Sequence, residues 1–218
     1  MRRSLILGVT IALAAAMTAM AGPPSERVFS QAALDHVQSA QEVVYTHERD
    51  GEAKEQLFPV DGGEIRVSVD LSDDGGREAL VTMGQPGQLR PVSKWPASSG
   101  SPLVPIFLES VLRSMARVTG GSEFYIRNRI KEALGQAGTM TDVERQVEGK
   151  TVLAQEIVFE PFATDKNRDR MGPFAELTLT FVVSTEVPGD VISFTAATVS
   201  DASVYSEEIA FRTVMVKE

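Results

Sequence analysis

The sequence predicts an α+β fold in which a curved, half-barrel-like antiparallel sheet of roughly eight to ten strands carries an inserted pair of helices on one face. Three observations lead there. Segments with apolar residues at every second position fill both halves of the chain. Turn chemistry separates them at short intervals, as in Asp50-Gly51, Asp61-Gly62-Gly63, Asp73-Asp74-Gly75-Gly76 and Pro86-Gly87. Between the halves, Ser101 to Leu134 switches to steps of three and four residues. Short turns join antiparallel neighbours, so roughly four strands, a helical pair and roughly five more strands assemble into one sheet with helices against it. A twisted sheet of that width curls, and a helix laid over its concave face leaves an apolar groove.

The chain opens on Met1-Arg2-Arg3, an uncharged apolar run from Leu5 to Met17, and Ala19-Met20-Ala21 before Gly22. These are the parts of a cleavable secretory signal over residues 1–21. The run is shorter and richer in alanine than a span of about 20 apolar residues, so no transmembrane span is expected after cleavage. Residues 22–218 are expected to be a single periplasmic α+β domain with the helical insert at 101–134. Cysteine is absent, which excludes a lipid-modified cysteine and any disulfide. Stability then rests on packing.

Loss of Arg2 and Arg3 with the leader takes the formal charge from −9 to −11, and a chain this acidic is a poor partner for nucleic acid. The charge is uneven. From Lys94 to Leu134 the six cations Lys94, Arg113, Arg117, Arg127, Arg129 and Lys131 face only Glu109, Glu123 and Glu132.

Within the first half, Phe29, Ala32, Ala33 and Val37 predict a short helix over Val28–Ala40. Val43, Tyr45, His47 and Arg49 share one face of the first strand. Ile65, Val67, Val69 and Leu71 alternate cleanly with polar residues, and Ala79, Val81 and Met83 follow. Pro91 to Gly100, rich in Pro, Ser and Gly and carrying the sole tryptophan, Trp95, reads as a linker or lid. In the insert, Ser101 and Pro102 start a helix whose Leu103, Val104, Phe107, Leu108, Val111, Leu112 and Met115 make a wide apolar face. Gly120-Gly121 ends it, Ser122 caps a second helix with Ile126, Ile130, Ala133 and Leu134 inward, and Gly135 stops that one.

Strands return with Val143–Val147 and Thr151–Phe159. After a long charged turn, Ala175, Leu177, Leu179, Phe181 and Val183 alternate with polar neighbours. Val187-Pro188-Gly189-Asp190 turns the chain into Val191–Val199 and Ser203–Val216, the last with Tyr205, Ile209, Phe211, Thr213 and Met215 on one face. This layout, an acidic exported antiparallel sheet interrupted by helices and closing on the Pro188-Gly189 hairpin and two strands, resembles the periplasmic lipoprotein-carrier superfamily of LolA/LolB-like half-barrels. The resemblance implies a concave apolar surface that accepts acyl chains or a hydrophobic peptide, with no cofactor and no catalysis.

Two surfaces are candidates for function. Phe107, Leu108, Leu112 and Met115 with Leu177, Leu179 and Phe181 would line a groove between helix and sheet, or simply fill the core. Arg113, Arg117, Arg127, Arg129 and Lys131 would meet an anionic envelope surface, or form an ordinary salt-bridged face through the i, i+4 pairs Glu109–Arg113 and Glu123–Arg127. Asp165, Asn167, Asp169 and Glu176 echo a calcium loop, but Arg170 stands where the sharp turn needs Gly. His36 and His47 are the only histidines, and the face shared by Tyr45, His47 and Arg49 would hold a catalytic or zinc site or, more simply, a packed or edge histidine beside a tyrosine. No nucleophile elbow, phosphate loop or His-Glu-x-x-His occurs. Glu207-Glu208 in a strand point to opposite faces and so do not form an acid–base pair. The expected function is non-enzymatic binding of a lipid or lipopeptide without cofactor or metal. The alternative is an envelope interaction protein that docks an anionic partner through its basic helices.

Overall fold

The computed structural model describes residues 23–136, 138–198 and 204–217. The predicted leader, residues 1–21, and the predicted strand ends Val199 and Ser203 lie outside them. Helix α1 (Pro24–Val28) leads into strand β1 (Gln41–Gly51), the single turn α2 (Lys54–Leu57), and strands β2 (Val60–Leu71), β3 (Arg77–Gln85) and β4 (Gln88–Pro96). Helices α3 (Leu103–Thr119) and α4 (Glu123–Gly135) follow. Strands β5 (Thr139–Val147), β6 (Lys150–Phe159), β7 (Leu177–Val183), β8 (Val191–Thr198) and β9 (Tyr205–Val216) complete the order.

The nine strands make one open, curved antiparallel sheet, the α+β class that the sequence predicts, in the order β4-β3-β2-β1-β9-β8-β7-β6-β5. Two meanders, one of four strands and one of five, are thus joined edge to edge where β1 meets β9. Their register runs from Gln41↔Val216 to Gly51↔Tyr205. Because β4 and β5 lie at opposite edges, the connection between them must cross the whole sheet. Nine strands span about 38 Å at the usual spacing. The 17 residues of α3 and 13 of α4 reach about 25 Å and 20 Å, so the helical pair is long enough to make that crossing.

The apolar stripe of α3 is buried as its spacing requires. Phe107, Val111, Leu112 and Met115 are almost inaccessible. The Phe107 ring sits 5.9 Å from Phe181 edge-to-face and 5.7 Å from Phe194, and Phe181 and Phe194 are themselves 5.0 Å apart. Helix α3 ends at Gly120, whose φ of 65° is the left-handed cap that a residue with a Cβ adopts at a cost. Ser122 caps α4 by accepting from the Tyr125 N–H. At the predicted hairpin, Asp190 N–H donates to the Val187 carbonyl at 2.9 Å with Gly189 at φ 84°, a type II turn.

Three local expectations are corrected. Pro91–Pro96 is not a linker or lid but most of β4, an edge strand, where proline is tolerated because its missing N–H would face outward. Val28–Ala40 is not a continuous helix. Only α1 forms, and backbone bonds such as Ala33 N–H to Ser30 O and Val37 N–H to Leu34 O make a run of turns that buries Leu34 and Val37. Ala175 and Glu176 belong to a 3₁₀ turn begun by Pro173 instead of the strand, which starts at Leu177.

Phe107 is the knot of the aromatic cluster, and Phe107→Ala leaves a cavity between helix and sheet. Urea unfolding of that variant is expected to show a loss of about 4 kcal/mol. A loss under about 1 kcal/mol would contradict the packing described.

Candidate functional site

The inward stripes of β1 and β9 bring together side chains 160 residues apart in sequence. Alternation places Tyr45, His47 and Arg49 on the concave face of β1, and Tyr205, Glu207 and Ile209 on that of β9. Glu207 is 1% exposed. Its Oε1 lies 2.9 Å from His47 Nε2, and its Oε2 accepts from the Tyr205 hydroxyl at 2.6 Å. Arg49 Nη1 is 3.9 Å from Oε2 and donates to Ser110 Oγ of α3 at 2.8 Å, while Nε and Nη2 donate to the Phe58 carbonyl after α2.

Burial alone would push the Glu207 carboxyl up, but the hydrogen bonds from His47 and Tyr205, the nearby Ser110 hydroxyl and the charge of His47 outweigh it and hold the group below the usual carboxylate range. Burial, then the charge of Glu207 and the hydrogen bond to it, push the Tyr205 phenol well up. Both glutamate oxygens are therefore taken, and the cluster anchors α3 over the β1/β9 seam. Beside it, the Ser114 hydroxyl of α3 is 1% exposed and faces Tyr205 without reaching hydrogen-bond geometry.

Above the cluster opens a cleft of about 620 Å³ between α3 and the strands. Val92 and Trp95 of β4 with Pro105 and Ile106 of α3 form its apolar walls, and Arg49, Ser110 and Ser114 contribute its polar lining. Glu109, Arg113 and Arg117 line it as well, but these charges are unequal. Arg113 pairs with Glu109 at 2.9 Å, whereas the guanidinium of Arg117 lies 4.8 Å over the Phe58 ring and has no carboxylate partner among the described residues.

A narrower apolar cleft of about 260 Å³ lies on the other side, between α3 and α4. It is lined by Phe29, Leu108, Leu112, Ile130 and Leu134, with Arg127 and Lys131 alongside. Glu109 stands between the two clefts and holds Arg127 at 3.2 Å as well as Arg113. Its burial raises its pKa, but these two arginines prevail and lower it.

Of the seven expected groove residues, Phe107, Leu112, Met115, Leu177, Leu179 and Phe181 are buried in the packed interior, and Leu108 is half-buried. Leu108 and Leu112 line the narrower cleft, and none of the seven lines the larger one. The five expected cations do not form one patch. Arg113 and Arg117 face the larger cleft and Arg127 and Lys131 the narrower, while Arg129 pairs with Glu132 and stacks on Tyr125 at 5.7 Å. The expected Glu123–Arg127 pair is replaced by Arg127–Glu109, because α3 brings Glu109 alongside.

At the segment that echoes a calcium loop the carboxylates of Asp165 and Glu176 have protein partners. Asp165 accepts the Tyr125 hydroxyl at 2.7 Å and the Asn167 N–H at 2.7 Å, so its carboxylate docks α4 and caps its own turn. Glu176 accepts from Arg168. Sequence reasoning placed His47 and Arg49 on one face and weighed Glu207 only against Glu208, not as the partner of His47, although a carboxylate two residues from both Tyr205 and Ile209 on a buried stripe was the signal.

No protein-family model and no curated protein matches the chain. Solved structures match in outline. The chain is similar to MucB, at 10% identity and a TM-score of 0.42 over 89% of this chain and 59% of that one. It is similar to the Pseudomonas aeruginosa MucA/MucB complex at 12% identity and a TM-score of 0.44, over 88% and 56%. It is also similar to the Mycobacterium tuberculosis lipoprotein LppX at 11% identity and a TM-score of 0.34, over 87% and 93%. The chain spans little more than half the length of the MucB chains it matches.

The depressed carboxyl of Glu207 contributes stability that is present above the ordinary glutamate pKa of about 4.3 and is lost as pH falls through the lower folded value. Thermal midpoints of the wild type should drop over that acidic range, and Glu207→Gln should flatten the dependence. Removing the imidazole strands a buried charge, so His47→Ala should cost about 3 kcal/mol at neutral pH in denaturant unfolding.

Proposed function

We propose that this chain is an exported, non-enzymatic binding protein of the periplasm. It holds an amphipathic, lipid-like ligand in the cleft between α3 and the strands, with the apolar part against Val92, Trp95, Pro105 and Ile106 and an anionic head toward Arg113 and Arg117. The observation that carries this reading is the pairing, within one cleft, of apolar walls with the guanidinium of Arg117, which has no carboxylate partner among the described residues. The cleft volume falls in the range of small-molecule sites, about 300–1,000 Å³. The interior residues Phe107, Met115, Leu177, Leu179 and Phe181 give α3 a firm seat, and Leu108 and Leu112 offer an apolar strip on its far side.

The support for export is the leader that the sequence predicts over residues 1–21. A binding role fits the cluster at the seam, because both Glu207 oxygens are committed to His47 and Tyr205. One observation favours a second reading. Arg127 and Lys131 flank an apolar cleft on the helical pair, which suits docking to an anionic envelope partner.

Trp95 is the sole tryptophan and lines the cleft, so its fluorescence reports occupancy. Titration with dodecyl phosphate should shift its emission, and Arg117→Ala should weaken binding about tenfold. Mass spectrometry of gently purified protein, native and after organic extraction, should find a co-purifying amphiphile. Protein that is empty and gives no Trp95 response would defeat the first reading. Salt-sensitive capture of an envelope partner, lost in Arg127→Glu/Lys131→Glu, would favour the second.

A further inference from the structure

The two edges of the sheet differ in what they allow. At the β4 edge, Pro91 and Pro96 interrupt the outward row of N–H groups, and the register with β3 breaks at Val81/Thr82. The β5 edge has neither device. Its nine residues contain no proline and pair with β6 alone, in unbroken register from Thr139↔Val158 to Val147↔Lys150. An edge of this kind leaves alternate backbone donors and acceptors open and is a template for a further strand.

The side chains at its centre are acidic. Asp142 and Glu144 are exposed, stand two residues apart and so share one face, and together with Glu186 line a depression of about 720 Å³. The cations nearby are already engaged, Arg145 with Glu156 and Arg27 with Asp190. None of the three carboxylates makes an ion pair among the described residues. Among the described residues Glu186 accepts only the Leu153 N–H, and Asp142 accepts only from Gln155 at 3.4 Å.

We propose that β5 is the docking edge for an extended basic polypeptide segment. The segment adds as a strand and sets two basic residues, separated by one residue, opposite Asp142 and Glu144. Directly opposed residues on antiparallel strands lie about 5 Å apart, and residues two apart return to the same face. A basic-x-basic sequence therefore matches both carboxylates at once, and its middle residue meets Val143 on the other face.

Charge disfavours a second copy of this chain paired about the centre of β5. Two-fold pairing of β5 with itself about Val143 would bring Asp142 against Glu144 twice, and like charges directly opposed are destabilising. The acidic rim likewise repels nucleic acid. The site lies at the edge remote from β4 and the ligand cleft, so it is independent of the function proposed above.

The test uses hydrogen exchange on the whole protein with a lysine–valine alternating peptide long enough to cover β5, a glutamate–valine counterpart, and the lysine peptide N-methylated at alternate amides. Protection confined to residues 139–147 is expected with the lysine peptide only, and it should weaken at high salt. Asp142→Lys/Glu144→Lys should weaken the lysine peptide about tenfold and gain the glutamate one. Three results would overturn the proposal: no protection of β5, unchanged preference in the folded double variant, or equal binding of the N-methylated peptide. The last comparison needs only the wild type, so it decides even if the double variant does not fold.

Discussion

A carboxylate buried in the middle of an apolar sheet face is the constraint on which the rest of the structure depends. Left alone, Glu207 would cost several kcal/mol to bury. It is tolerable because His47 of β1 and Tyr205 of β9 hydrogen-bond its two oxygens and Arg49, itself held by Ser110 of α3, stands 3.9 Å away. A slip of one residue between β1 and β9 would turn Glu207 and His47 to opposite faces. The pair thus selects one register for the seam between the two meanders and one seat for the helix above it. Arg49 extends the same logic, since one guanidinium ties β1 to the end of α2 and to α3.

The helical pair follows from the strand order. A connection from one sheet edge to the other must pass over a face, and the concave face is the one with an apolar stripe to cover. One helix is narrower than the curve it lies in, so it leaves a cleft on either side. On the strand side the walls come from edge strand β4 and the apolar flank of α3, and on the other side α4 completes the lining. Glu109 sits on the ridge between them and neutralises one arginine of each cleft. Arg117, one turn beyond Arg113, escapes that compensation and gives the larger cleft its positive character.

Much of this was legible in the sequence because it is local. Alternation located the strands, three-and-four spacing located α3 and α4, and Gly120 and Pro188-Gly189 marked real stops and turns. Edge strand β4 was hidden by Pro91 and Pro96, since propensity argues against a strand that position makes acceptable. The residues expected to line a groove are mostly interior for a related reason. The most regular apolar residues of α3 define its most buried line, and an open cleft is lined by the residues beside that line, Ile106, Ser110, Arg113 and Arg117. The pairing of Glu207 with His47 escaped notice because it joins opposite ends of the chain, which no window of sequence contains.

The strand order also bears on when the molecule can fold. The strand that completes the centre of the sheet is the last of the nine to leave the ribosome, and its partner β1 is the first. Until β9 arrives, the first meander has an uncovered inner edge and α3 lacks half its seat. Closure across so long a loop is slow. The delay keeps the two halves from sharing one core until the last strand has been made.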